Sequence, residues 1–179
     1  MAVVLGTAPS FNPAAGLYTR GFAGYFADDV NYFAGATQVS QAVDTGTLQN
    51  SGSTPYSQQW IGYFRPNTTE NYRFYLQSSD ASFFWIDNIA LSGFSTANAT
   101  VNNAGRHPVQ TTNSALVSLV ANTYYPVRIQ FGNDNPQGFF NPTGQNTFDF
   151  GFERVNTDPG NIITNLTGLS FYNSSTRGF

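Results

Sequence analysis

The sequence predicts an all-β fold, an antiparallel β-sandwich or barrel with long polar loops. Three observations predict it. Apolar and polar residues alternate with a period of two in several short runs, Gly, Pro and Asn punctuate those runs throughout, and no window sustains a helical repeat. A period of two sends one set of side chains into a core and the other outward, as half-buried strands require.

Taken in chain order, the first candidate strand is 17–26. The segment 49–55, with its Asn, Ser, Gly and Pro, is a turn before the second strand, 58–64. In 71–77, Tyr72, Phe74 and Leu76 alternate with Arg73, Tyr75 and Gln77. A tight turn at Asp80 is expected to return the chain as a hairpin partner, 83–87, and Asp87-Asn88 makes the next turn. The segment 92–112 reads as a long polar loop. The strand 115–120 is apolar on both faces, through Leu116 and Val120 on one and Val117 and Leu119 on the other. In 124–131, Val127, Ile129 and Phe131 alternate with Arg128 and Gln130. A loop at 133–144 holds two prolines and two glycines, and 147–154 is the last candidate strand. Trp60 and Phe64 are expected on one sheet face, with Phe74 and Ile129 meeting them across the sandwich. The reading is of a single domain spanning 1–179, in which 155–179 is a C-terminal extension. Its Leu169, Phe171, Tyr172 and Phe179 are expected to dock on the same domain or on a neighbour.

Composition narrows the function classes. Aromatics are 16% of the 179 residues and charged residues only 9%, and all seven basic residues are arginines. A net charge of −3 offers no basic face to displace counterions, which argues against nucleic acid and against a polybasic membrane contact. No stretch approaches the ~20 apolar residues of a spanning helix. Residues 1–16 lack a basic leader and do not read as a signal peptide. There is no cysteine, so disulfide and thiolate chemistry are excluded. A lysine-free surface suits protein contacts, where lysine is depleted.

The residues that carry chemistry are sparse. The only histidine, His107, precedes Pro108 in a loop and has no partner pattern for a catalytic triad or a zinc site. Glycosidases need two opposed carboxylates, and the only glutamates, Glu70 and Glu153, both read as surface residues. No enzyme is expected. A hard cation takes six to eight oxygens, for which Asp28-Asp29, Asp80 and Asn133-Asp134 are the candidates, against the alternative that each is a solvated turn. Of the aromatics, Phe94, Phe139 and Phe140 fall in loops and suggest a contact surface.

Four segments together resemble the PA14 domain family. These are Trp60-Ile61-Gly62-Tyr63-Phe64-Arg65-Pro66, then Asn71-Tyr72-Arg73-Phe74, then 78–88 with Ser79-Asp80 and Ile86-Asp87-Asn88, and last Leu119, Ala121 and 124–129. The resemblance implies a non-enzymatic β-sandwich. PA14 domains of yeast-type adhesins bind sugars through calcium held by an Asp-Asp pair and a later Asn. Here the pair aligns with Ser79-Asp80 and the later residue with Asn133, so Asp80 and Asn133 are the implied metal residues and one carboxylate is missing. A serine hydroxyl is a neutral, weaker ligand, and the implied calcium site is a weakened one. A narrower resemblance rests on Tyr25-Phe26, Asp28-Asp29-Val30, Phe33, Tyr56-Ser57-Gln58-Gln59-Trp60 and the run 125–133. It is to PA14-type structural proteins of tailed bacteriophages. It implies a component of the virion surface (a head decoration, a fibre or a tail-associated domain) whose partners are copies of itself or other virion proteins. The competing expectation is an extracellular or cell-surface module that binds a glycan with the help of calcium.

Overall fold

The computed structural model describes residues 13–48, 55–134, 147–166 and 170–173. Twelve strands are formed there: β1 (Ala14–Ala15), β2 (Leu17–Ala23), β3 (Gln38–Asp44), β4 (Tyr56–Phe64), β5 (Glu70–Ser78), β6 (Ser82–Ile86), β7 (Val101–Asn103), β8 (Gln110–Asn113), β9 (Val117–Leu119), β10 (Tyr125–Asn133), β11 (Phe148–Arg154) and β12 (Phe171–Asn173). Two single-turn helices, α1 (Tyr32–Gly35) and α2 (Asn88–Leu91), lie in the connections after β2 and β6. All strand pairs are antiparallel.

The strands form two facing sheets. The larger runs β3–β2–β4–β10–β6–β7, with β12 and then β1 continuing beside the far end of β4. The smaller has β5 at its centre, β11 on one side, and β8 and β9 sharing the other. Strand β5 shows the alternation read from the sequence: Glu70, Tyr72, Phe74, Leu76 and Ser78 are buried and the residues between them are partly exposed. Strands β4, β10 and β6 differ, because nearly every residue in them is buried on both faces.

Between the sheets lies an aromatic core. Phe64 sits at its centre, with ring centroids 5.5 Å from Tyr72, 5.6 Å from Phe74, 5.1 Å from Phe152 and 4.9 Å from Phe171. Trp60 stacks on Phe148 at 4.6 Å, and its indole N–H donates to Asp44 at 2.5 Å. A second, smaller cluster covers the outer face of the large sheet. There Phe22, Phe83 and Trp85 pack under Phe26, Val30 and Phe33 from the segment after β2, and under Ala90 from α2. The C-terminal apolar residues dock on the same sandwich: β12 pairs with β4, and Phe171 is fully buried. Leu169 and Phe179 lie outside the described residues.

Four expectations are corrected. The segment 83–87 is not the hairpin partner of 71–77, because at Ser79–Ala81 the chain crosses from the small sheet to the large one, where β6 pairs with β10 and β7. Ile129 lies beside Trp60 in the same sheet, not across the sandwich. The polar loop 92–112 contains β7 and β8, whose few polar residues carry no periodic signal. Glu70 and Glu153 are buried. Glu70 accepts from the hydroxyls of Thr68 and Thr157, each at 2.6 Å, and from the N–H groups of Asn156 and Thr157. Glu153 accepts from the Tyr75 hydroxyl and the Gly160 N–H, both at 2.6 Å, and pairs with Arg73. Both carboxylates thus tie the loop after β11 to the small sheet. The edge strand β3, also missed by the sequence reading, is exposed along almost its whole length and has no buried face to leave a pattern.

Two outcomes follow for stability. Phe64→Ala should cost about 3–5 kcal/mol in urea unfolding, the range for deleting a buried aromatic ring. Burial raises the Glu70 carboxyl, but the hydrogen bonds from Thr157, Thr68 and the Asn156 N–H outweigh it and hold the group down to about 2, against a usual 4.5. A depressed folded-state pKa stabilises fully above the ordinary glutamate range, and that stabilisation is lost as pH falls toward about 2. Glu70→Gln should therefore lower the melting temperature at neutral pH and flatten its fall between pH 4.5 and about 2. An unchanged slope in that window would show that Glu70 carries none of it. The lowered Glu153 carboxyl, which accepts from Tyr75 and Gly160, leaves a residual slope in the variant.

Candidate functional site at the sheet crossover

The crossover between β5 and β6 gathers most of the sequence-predicted residues. Asp80 stands at its corner in the left-handed region, with φ 63°, a conformation that Asp tolerates better than most residues. The residue is only 2% exposed. The loop after β7 clamps it from one side: the His107 backbone N–H donates to Asp80 Oδ1 at 3.2 Å, while the Asp80 N–H donates to the His107 carbonyl at 3.1 Å. The end of β10 holds the other side, where the Asp134 N–H donates to Asp80 Oδ2 at 3.1 Å. Asn133 Nδ2 donates to Ser79 Oγ at 3.1 Å, and the Thr147 N–H reaches the same oxygen at 3.1 Å. Ser79, Asp80 and Asn133, which are 54 positions apart at their extremes in sequence, are thereby brought together in one buried cluster.

Further groups surround that cluster. Asp28, also in the left-handed region, accepts from the Gly105 N–H at 3.1 Å, so it belongs to this end of the molecule. Asp29 instead accepts from the Asn31 N–H two residues on, a local turn. Arg106 pairs with Asp134 and lies over the Tyr25 ring at 5.3 Å. Burial pushes the Tyr25 phenol well above its usual range, and the charges of Asp28 and Asp80 push it the same way, so it stays protonated. Gly132 lets this corner close: a Cβ there would stand 2.5 Å from the Phe26 ring. The role of His107 is its backbone, which the sequence reading missed; the signal was its position opposite a buried acid, which only the fold supplies. Of the loop aromatics, Phe94 packs on Trp85 at 5.5 Å, and Phe139 and Phe140 lie outside the described residues.

The chemistry of this cluster suits a hard cation in kind and is short of charge. Asp80 contributes one carboxylate, Ser79 a hydroxyl and Asn133 an amide, all oxygen donors of the type calcium takes. Three acidic residues, Asp28, Asp80 and Asp134, face one cation, Arg106, which leaves the neighbourhood negative. Among the described residues, however, no three acidic or histidine side chains converge closely enough to hold a metal by themselves. The donor set fits a weak calcium site, in which Asp80 and Asn133 would be the holding residues.

The two facing antiparallel sheets, the crossover corner and the buried Asp80–Asn133 cluster define a PA14-like β-sandwich. Residues 56–145, half of the chain, match the model of the GLEYA domain, and the chain belongs to the GLEYA domain family. Solved structures of similar fold include the A domain of Epithelial Adhesin 6 from Candida glabrata in complex with Galβ1-3GlcNAc. It is 17% identical with a TM-score of 0.64, over 92% of this chain and 89% of that one. The PA14 domain of the MpAFP antifreeze protein is 10% identical with a TM-score of 0.66, over 93% and 95% of the two chains. A subtype-switched Epithelial Adhesin 9 A domain, also from Candida glabrata and in complex with β-lactose, is 15% identical with a TM-score of 0.63, over 96% and 93%. At these identities the likeness is one of fold. No curated protein matches the sequence. The relatives named here are adhesin and PA14 domains, and the resemblance to virion proteins rests on the sequence segments alone.

Proposed function

We propose that this chain is a non-enzymatic glycan-binding module of the adhesin kind, working outside a cell, with its binding end at the Ser79–Asp80–Asn133 corner and weak assistance from calcium. The observation that carries the reading is the convergence of those three residues, from two strand ends and a sheet crossover, in a chain of the GLEYA domain family whose fold is shared by two adhesin A domains solved in complex with Galβ1-3GlcNAc and with β-lactose. A bound calcium ion supplies a hard positive charge to which sugar hydroxyls add as further oxygen ligands. The chain's own part is to hold the donors. The His107 and Asp134 N–H groups fix the Asp80 carboxylate in place, and Ser79 and Asn133 orient each other. Tyr25 and Arg106 stand beside the corner as an aromatic face and a cationic donor, the usual means of seating a polar ligand. Among the described residues, the two glutamates, Glu70 and Glu153, are committed to structural hydrogen bonds and offer no free acid–base pair.

Two measurements test this. A glycan array that includes galactose-terminated sugars should give hits that disappear with chelator and with Asp80→Ala; a blank array at millimolar calcium would remove the reading. Ser79→Asp should restore the missing carboxylate and tighten calcium binding by roughly an order of magnitude, by calorimetry, because affinity follows ligand charge. The same variant should melt lower than the parent in chelator, where two adjacent carboxylates repel.

A second reading, self-assembly as a virion surface component, draws on one structural observation. Strand β3 is an edge strand that is exposed along almost its whole length, with Val39 63% and Val43 47% exposed, and among the described residues its outer edge pairs with nothing. Unprotected edges add strands from other copies. A concentration-dependent oligomer in light scattering, lost in Val39→Lys/Val43→Lys, supports this reading; a monomer at all concentrations counts against it.

A further inference from the structure

The small sheet has an outer face, turned away from the aromatic core. The register sets what stands on it. Gln77 of β5 lies between Asp149 of β11 and Thr111 of β8, and in the next row on that face Tyr75 lies between Gly151 and Asn113. Gly151 brings no side chain to its row, and the chain after β11 closes in over it. Ile163 exchanges backbone hydrogen bonds with Phe152, at 2.8 and 3.1 Å. Ile162 and Thr164 therefore stand over Gly151, where a Cβ would come within 2.7 Å of Ile162 Cγ2 and 3.2 Å of Thr164 Cγ2. The result is a hollow of about 290 Å³ walled by Tyr75, Gln77, Thr111, Asp149, Ile162 and Thr164.

The polar groups of this hollow are chiefly acceptors. Asp149 is half-buried, and among the described residues its carboxylate has neither a hydrogen bond nor an ion pair. Burial raises the Asp149 carboxyl above its ordinary value, and no neighbouring donor or cation pulls it back. A carboxylate so placed is under-satisfied in the free chain. Gln77 Nε2 donates to Thr111 Oγ1 at 2.9 Å, which leaves the Gln77 carbonyl oxygen as a second acceptor. No basic residue lines the hollow. Arg73, next on the same face of β5, is paired with Glu153 at 3.4 Å. The Tyr75 hydroxyl donates to the same carboxylate at 2.6 Å, which fixes the Tyr75 ring as a wall. Such a ring attracts cations through its π electrons.

We propose that this hollow is a second ligand site, separate from the Asp80 corner, that takes a small organic ammonium, the protonated amino group of a simple amine or of an amino sugar. The Asp149 carboxylate supplies the counter-charge, the Gln77 carbonyl a neutral acceptor and the Tyr75 ring a π face. A primary ammonium, with three N–H donors and a positive charge, satisfies all three, whereas a neutral hydroxyl satisfies them only in part and an anion is repelled. Ile162 gives the carbon body an apolar wall. The volume lies at the lower end of the ~300–1,000 Å³ range of small-molecule sites, which fits one sugar ring or less. The chain contains no lysine, so a second copy of it has no lysine side chain to place here.

The test is an NMR titration of the full chain with glucosamine, ethylamine and neutral N-acetylglucosamine, at fixed ionic strength, at a mildly acidic pH that keeps the amines protonated, and with EDTA present. The EDTA removes any contribution from a calcium site, so the result is independent of the glycan reading above. Glucosamine should bind saturably, with shift changes centred on the Tyr75, Gln77, Asp149 and Gly151 amides, and N-acetylglucosamine should bind at least roughly tenfold more weakly. Asp149→Asn, which keeps the shape of the side chain, should weaken glucosamine by roughly tenfold or more, the loss of a charge-assisted contact. Its melting temperature should not fall, because the charge it removes has no partner in the free chain. Ethylamine bound as tightly as glucosamine supports the site with a simple amine as its source; tighter glucosamine supports it with an amino sugar. No saturable binding, equal binding of N-acetylglucosamine, shift changes centred elsewhere, or a parent-like titration of Asp149→Asn overturns the proposal.

Discussion

The structure depends on strands that have to bury both of their faces. Strands β4, β10 and β6 lie at the middle of the large sheet, with the small sheet over one face and the segments around α1 and α2 over the other. On the inner face the requirement is met by volume: Trp60, Phe64, Phe84, Ile129 and Phe131 fill the space between the sheets. On the outer face β10 presents Arg128, Gln130 and Gly132, and two of these three side chains are polar. Burying such groups is costly unless they are hydrogen-bonded. They are tied together by Gln59 and to the covering layer through the Val30 and Ala90 carbonyls. The covering segments are thus positioned as much by these polar links as by the packing of Phe26, Phe33 and Trp85.

The same constraint builds the corner at Asp80. Strand β5 has one buried face and belongs to the small sheet, whereas β6 is buried throughout and belongs to the large one, so the chain must change sheets between Ser78 and Ser82. The change is made with Asp80 at a positive φ and with Ser78 and Ser82 hydroxyls in contact at 2.7 Å. Conformations of this kind persist where surrounding bonds over-determine them. Here the His107 and Asp134 backbones do so, and both loops are drawn to a single buried carboxylate. The glycan-binding role proposed for this corner needs donors fixed before the ligand arrives, and a crossover held by backbone N–H groups gives that rigidity without a disulfide. The aromatic core behind it, through Phe131 on Phe148 at 4.8 Å, anchors the strand ends from which Asn133 and Thr147 emerge.

The sequence by itself determined the strands that have one wet face or a long apolar run. The alternation in 71–77 and 124–131 was legible because period two records one buried face, and β5 and β10 lie where it placed them. The 58–64 and 147–154 strands were legible as short apolar runs bounded by turn residues, and the alignment of Ser79-Asp80 with Asn133 was implied by the family resemblance. Only the tertiary structure decided the rest. Strand β3 has no buried face, and β7 and β8 are too short for any period, so neither left a signal. Glu70 and Glu153 read as surface residues because charge alone predicts exposure, while the hydroxyl and N–H donors that make their burial tolerable come from residues up to 87 positions away. The polar face of β10 read as outward-facing water contact, and a layer contributed by two distant loops turned it into a buried row. The physical reason is common to all three cases: period and charge report how one strand meets its own surroundings, and what finally covers that strand is set by contacts between distant parts of the chain.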